Sequence, residues 1–283
     1  MVRRIAAPLA ALLSFVVAML PAAPAQADAS AFPVRAASGG ESFAAGDGGI
    51  EFGGYLKGTN TPQNRCHRSN SSATQLLATA GFITLAANTA CSGATIDTFM
   101  ATGQYNEPAQ ITRIPTGLDV YFLSLGGNDV GYGTVAGCIL RTNCTKTAIP
   151  SQSMQLIAGL GPRLDTVYAA IRAKVPNGRV IVQLYPLILP LPNAKPGPLC
   201  PYLQPGEAKI GYDLTTQLNA VIKARAQAHG FVVANPVQRF VGHDVCSLTS
   251  YFYYPGLGAS FHPNVLGRFA LGWTDITTYI NSN

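Results

Sequence analysis

Apolar positions along the 283-residue chain alternate between two patterns. Five segments are nearly continuous apolar runs: FPVRAA (32–37), FITLAAN (82–88), DVYFLSL (119–125), RVIVQLYP (179–186) and FVVANP (231–236). Runs this short, without a polar face, read as strands buried on both sides. Apolar residues recur at helical spacing in 71–81, 153–175, 206–230 and 264–280. Gly81 and Gly230 stand where two of these helices should stop. Alternating β and α segments predict an α/β fold, a three-layer α/β/α sandwich around a mostly parallel central sheet. Ligands of such sheets sit beyond the carboxyl ends of the strands. The loops after each strand are therefore where chemistry is expected.

The first 27 residues break the pattern. MVRR is basic, the next stretch is apolar, and PAAPAQA ends in Ala25-Gln26-Ala27. This order predicts a secretory signal peptide cut before Asp28. A retained membrane anchor is the alternative, since the uncharged stretch is long enough to span. Pro21, Pro24 and the small residues at its end favour cleavage. Residues 28–283 are then expected to form a single secreted, extracellular domain.

Composition narrows the partners. Arg3 and Arg4 leave with the leader, so 17 basic residues face 13 acidic ones. That excess is mild, no Lys/Arg run occurs, and basic residues do not interleave with aromatics, which argues against nucleic acid. The six cysteines, Cys66, Cys91, Cys138, Cys144, Cys200 and Cys246, suit disulfides in an oxidising compartment. Six cysteines allow fifteen pairings; neighbours in order (66–91, 138–144, 200–246) is the expected one. No C-x-x-C pair supports zinc or redox chemistry, and no metal or cofactor is implied.

Four loops carry candidate chemistry. Ser42, in GGESF after the first strand, is either a helix N-cap or a nucleophile favoured by the adjacent helix N-terminus. Gly93, in NTACSGAT after the second, can bring its N–H close to an oxyanion or can mark a plain turn. Asn128, in GGNDVGYG after the third, can aim its amide at the same point, and Asp129 reads as a cap for the next helix. His262, in ASFHPN before the last helix, is the candidate base. His243, beside Asp244 in VGHDVCS, is its rival, but chain neighbours do not readily adopt a catalytic hydrogen bond. His67 and His229 read as structural.

Taken in order, GGESFAAG, CSGA, GGND and FHP resemble the four sequence blocks of SGNH hydrolases, also called GDSL-type esterases. Among these the chain is most similar to secreted actinobacterial lipases and phospholipases A, with their six-cysteine layout and GHDVCS-like segment. No G-x-S-x-G elbow of an ordinary α/β-hydrolase is present. The resemblance implies a flavodoxin-like α/β/α fold and a serine ester hydrolase. It makes Ser42 the nucleophile and His262 the base. The oxyanion hole would be the N–H groups of Ser42 and Gly93 with the Asn128 side chain.

Two positions depart from the family. Glu41 stands where Asp is usual, which adds a methylene beside the nucleophile. Ala259 stands where an aspartate would orient the histidine, so the backbone carbonyl of Ser260 is expected to hold the His262 Nδ1–H and leave a Ser–His dyad. A neutral carbonyl is roughly half as strong a partner as a carboxylate. The expected function is hydrolysis of acyl-ester lipids through an acyl-enzyme, by a monomer in transient contact with a lipid surface. YPLILPLP (185–192) and YFYYPGLG (251–258) would line the acyl cleft, unless Leu187, Ile188 and Leu189 are core. A carbohydrate acetyl esterase, or a degenerate module that binds lipid or glycan without turnover, are the alternatives.

Overall fold

The apolar runs form strands for the reason their composition suggests: both faces of the sheet are covered. The structure, a computed structural model, describes residues 32–141, 143–195, 197–254 and 260–282, with only the backbone of residues 140 and 141. The expected leader and Ala259 lie outside the described residues. Strands β1 (Val34–Gly40), β2 (Ile83–Asn88), β3 (Val120–Ser124), β4 (Arg179–Gln183) and β5 (Val232–Ala234) make one sheet in the order β2-β1-β3-β4-β5. Every pairing is parallel.

Side chains alternate across each strand. Val120 and Phe122 of β3, with Ala36, Ile181 and Ala234, pack under α2 (Ala73–Thr79) and α7 (Val265–Asn281). Tyr121 and Leu123, with Val180 and Val182, face the opposite layer of α3 (Tyr132–Arg141), α4 (Ile149–Lys174) and α5 (Pro205–Ala228). The three-layer sandwich predicted from the pattern is therefore present. One-turn helices α1 (Ser42–Ala45) and α6 (Val237–Phe240) follow β1 and β5. Helix α4 begins four residues earlier than the periodicity indicates, because Pro150 suits a first helical turn. No apolar periodicity marks helix α3, and only the expected cap at Asp129 points to it; Gly133 and Gly137 dilute its apolar face, and its ten residues are held by packing on α4 and α5. All three disulfides join neighbours in order: Cys66–Cys91, Cys138–Cys144 and Cys200–Cys246.

The strand order matters for the site. The chain leaves β1 for β2 on one side and returns to place β3 on the other, a switch point of the doubly wound kind. The loops after β2 and β3 thus flank the turn after β1.

One buried group sets a pH dependence. Asp275 of α7 accepts a 2.8 Å hydrogen bond from Gln183 Nε2, and its Oδ1 has no partner among the described residues. Burial pushes its carboxyl from 3.8 up to about 7, against the Gln183 bond. A raised acid folds best protonated, so its contribution worsens as pH rises from about 4 to about 7, by roughly 4 kcal/mol in all. Asp275→Asn is expected to remove most of that slope. Urea unfolding at pH 5 and pH 8 should show the variant more stable than the wild type at pH 8, with the gap closing at pH 5.

Candidate active site

The turn after β1 is built around Gly40. Its φ is +125°, and a Cβ would lie 1.9 Å from the Ser124 carbonyl oxygen, so only glycine lets β1 pass β3 this closely. Its N–H donates to Gln110 Oε1 and its carbonyl accepts from Gln110 Nε2, both at 2.8 Å; the carbonyl also accepts from Cys91 N at 3.0 Å. Ser42 is the first residue of α1, and the capping role belongs to Glu41, whose carboxylate accepts from Phe43 N.

Glu41 is 3% exposed and sits among hydroxyls. Ser42 Oγ donates to it at 2.8 Å, Ser124 Oγ at 3.0 Å and Tyr185 OH at 3.2 Å, and Tyr185 OH accepts from Gly127 N at 2.9 Å. One carboxylate thus joins the ends of β1 and β3 to the segment just after β4. Burial pushes its carboxyl up, opposed by the Ser42 and Ser124 bonds, the charge of His262 and the Phe43 N–H. Burial and then Glu41 drive the Tyr185 hydroxyl well above its ordinary value. Glu41→Gln places an amide donor among three hydroxyl donors and must orphan at least one. It is expected to lower the unfolding free energy by about 1–3 kcal/mol, readable by urea denaturation at pH 7, and to slow ester hydrolysis.

The flanking loops are tied to this turn and to each other. Residues 88–95 are held by Cys66–Cys91 and by Arg68 Nη1, which donates to Ala90 O at 2.9 Å. Arg68 and Arg113 share Glu107, whose carboxyl falls to about 2 because those cations and Asn64 outweigh its burial. Gly93 has φ +78°. Asn128 Nδ2 donates to Ala94 O at 2.9 Å, which links the third loop to the second. Asp129 does not cap the helix that follows it, contrary to expectation; it faces the first N–H of the helical stretch that begins at Ile96. Both its oxygens accept from Ile96 N at 3.1 Å, and Arg163 approaches to 2.8 Å. The backbone N–H groups of Ser42 and Gly93, and the second Nδ2–H of Asn128, have no acceptor among the described residues.

His262 comes to the same place from the far end of the chain. Its ring centroid is 5.9 Å from that of Phe43, the residue after Ser42. Its carbonyl accepts from Tyr253 N at 2.9 Å, Phe261 N donates to Tyr253 O at 3.3 Å, and Asn264 caps α7 through Gly267 N. Ser260 lies in the half-buried turn just before it. The rival His243 stacks on Tyr251 with ring centroids 3.9 Å apart, and Asp244 accepts from Cys246 N. His229 contacts Asp165.

Two neighbours of the site carry no motif. Asp47 donates its N–H to Ser42 O at 3.0 Å, and its carboxylate accepts from Ser92 Oγ and lies 3.0 Å from His67 Nδ1. Burial works against its ionisation, yet His262, the Ser92 hydroxyl and His67 together hold the carboxyl below the usual range. His67, read from sequence as structural, therefore borders the site. Arg268 of α7 is completely buried: Nη1 donates to Gly46 O at 3.0 Å, and Nη2 to Glu51 Oε2 at 3.0 Å and to Tyr253 OH. Tyr253 OH in turn donates to Glu51 Oε1 at 2.7 Å. One guanidinium thus links the residue that closes α1 to the strand-like segment paired with His262.

The middle of the apolar segment after β4 is core, although Leu191 near its end is exposed. Leu187, Ile188 and Leu189 are at most 9% exposed. Ile188 and Leu189 line, with Phe261 and Tyr132, a cavity of about 20 Å³, the size of a single water rather than of an acyl chain. Residues 255–258 of the second proposed lining segment lie outside the described residues. Among the described residues no cluster of three metal-ligating side chains occurs, and no helix is long and apolar enough to cross a membrane.

A doubly wound parallel sheet, with Ser42 at the switch-point turn and His262 packed against the adjacent Phe43, is the layout expected of an α/β/α hydrolase. The sequence agrees: residues 40–268 match the GDSL-like lipase/acylhydrolase family, and the chain belongs to that family of serine ester hydrolases. It is 29% identical to Lipase 1 of Streptomyces coelicolor and to a lipase of Streptomyces rimosus. Each match runs over 234 residues, 81% of this chain and 80% of the relative. The crystal structure of the extracellular S. rimosus lipase superposes with a TM-score of 0.73 at 26% identity, covering 87% of this chain and 99% of that one. Phospholipase A1 of Streptomyces albidoflavus does so with 0.72 at 26% identity and the same coverage. An acetylxylan esterase of Geobacillus stearothermophilus, at 13% identity and TM-score 0.50, shares the fold alone.

Proposed function

We propose that this chain is exported and, as a monomer, hydrolyses acyl-ester lipids with Ser42 as nucleophile and His262 as base. The observation that carries the reading is the meeting of three successive strand-end loops around Ser42, with His262 beside Phe43. Ser42 Oγ turns from Glu41 to His262, gives its proton to Nε2 and attacks the ester carbonyl carbon. The N–H groups of Ser42 and Gly93 and the Asn128 amide, which have no other acceptor among the described residues, hold the oxyanion. His262 returns the proton to the departing alcohol, and water then releases the acyl group. The Ser260 carbonyl holds Nδ1–H in place of the aspartate missing at 259, and the Asp47 carboxylate adds negative charge near the imidazolium.

Lipid as substrate is supported by the relatives' names and by the rim of the site. Ile50 and Phe52, 75% and 64% exposed, flank the inward-facing Glu51 and suit transient contact with a lipid surface. Export before Asp28 is supported by the leader pattern and the three disulfides; the mass of protein recovered from culture medium tests it.

A fluorophosphonate probe tests the chemistry. Labelling is expected at Ser42 alone, with fatty acid released from triacylglycerol or phosphatidylcholine. A chain that takes no label is a binding module. One that releases acetate from acetylated xylan but no long-chain acid is a carbohydrate esterase.

A further inference from the structure

A groove with an apolar lining lies away from Ser42. It runs between α2 and α7, has a volume of about 580 Å³, and falls in the usual range for small-ligand sites. Leu76 and Leu77 of α2, with Phe82, form one wall; Leu266, Phe269 and Trp273 of α7 form the other. The last three are 56%, 48% and 48% exposed, a stripe at positions i, i+3 and i+7 that a soluble protein would ordinarily bury. None of Ser42, Gly93, Asn128 and His262 lines the groove.

Its two ends differ. Phe82 meets Trp273 edge-on at 6.1 Å, and Phe32 meets Phe82 at 5.7 Å, so one end is aromatic. At the other stand Tyr251 and Arg239, brought together because Phe240 packs on Tyr251 at 5.4 Å. Arg239 is exposed, and it makes no ion pair or side-chain hydrogen bond with any described residue. No acidic residue lines the groove. From Leu266 to Trp273 the helix rises about 10 Å. A slot of that length, apolar along its walls and cationic at one mouth, is complementary to a single-chain amphiphilic anion.

We propose that this groove binds a free fatty acid, with its carboxylate at Arg239 and its chain along Leu266, Phe269 and Trp273. The ligand class rests on the proposed function, whose acyl product is such a carboxylate; the site itself rests on the groove and its unpaired cation. The chain would then hold its own product away from the reacting centre.

Trp273 is the only tryptophan of the chain, so its emission reports occupancy directly. Decanoate, titrated into the full-length protein below its micellar concentration, is expected to change that emission saturably. Arg239→Gln should weaken the apparent affinity about tenfold or more, as should decan-1-ol, which keeps the chain and lacks the charge. Phe269→Asp should abolish the response while ester hydrolysis continues unchanged. Equal affinity for decanoate, decan-1-ol and the Arg239→Gln variant would reduce the site to apolar adsorption and overturn the proposal. So would a response confined to micelles, which marks a surface contact, or one set by protein concentration alone, which marks a second copy in the groove. The titration needs no turnover, so decanoate binding by a chain that hydrolyses no ester would overturn the proposed function and leave this site standing.

Discussion

Ser42→Ala is expected to lower kcat for a p-nitrophenyl ester by about 10⁴- to 10⁶-fold, with KM little changed. In the proposed mechanism this hydroxyl forms the covalent bond, and no second nucleophile occupies the turn. His262→Ala should fall in the same range. The double variant should be no slower than the worse single one, because nucleophile and base act as a unit. The residual rate measures what the oxyanion donors contribute unaided. Initial rates at fixed pH decide the matter, with circular dichroism to confirm folding. Losses that multiply in the double variant would mean that Ser42 and His262 act independently, and the proposed dyad would fail. Alanine at 42 also leaves Glu41 without one of its donors, so a small loss of stability should accompany the large loss of rate.

Arg268→Met should have the largest effect on stability, about 3 kcal/mol or more by urea unfolding. The thioether fills much of the volume but supplies no donor. The Gly46 carbonyl, the Glu51 carboxylate and the Tyr253 hydroxyl then lose their shared partner. Removing one member of a buried pair costs about 3–5 kcal/mol because the other charge is left uncompensated. Glu51 retains 28% side-chain exposure and can partly rehydrate, which favours the lower end. Turnover should fall more than substrate binding, since Gly46 closes the nucleophile's helix and Tyr253 pairs with His262. Arg268→Lys keeps the charge but not the fork and should recover only part of either quantity.

The fold was legible because a sheet covered on both faces writes its strands as unbroken apolar runs. The rule that loops after strands carry ligands singled out Ser42, Gly93 and Asn128 as candidates; His262 was picked from its place before the last helix, and the roles of all four came from the family resemblance. What brings the first three together, the strand order, leaves no mark on local sequence. Helix α3 was hidden by its glycines. β1 continues through Gly40, where two glycines read as a turn, because Gln110 and Cys91 bond that backbone from 70 and 51 residues away. Gln110, Asp47 and Arg268 belong to no motif; their roles arise from contacts far along the chain. Asp129 looked like a cap because the nearest helix follows it, but its partners are Ile96 and Arg163.

The bond from Arg268 to Gly46 spans 222 positions. The turn after β1 is therefore made 222 residues before the guanidinium that closes it. A chain cut before Arg268 would lack that clasp, so the turn after β1 is expected to be held less firmly until α7 has docked.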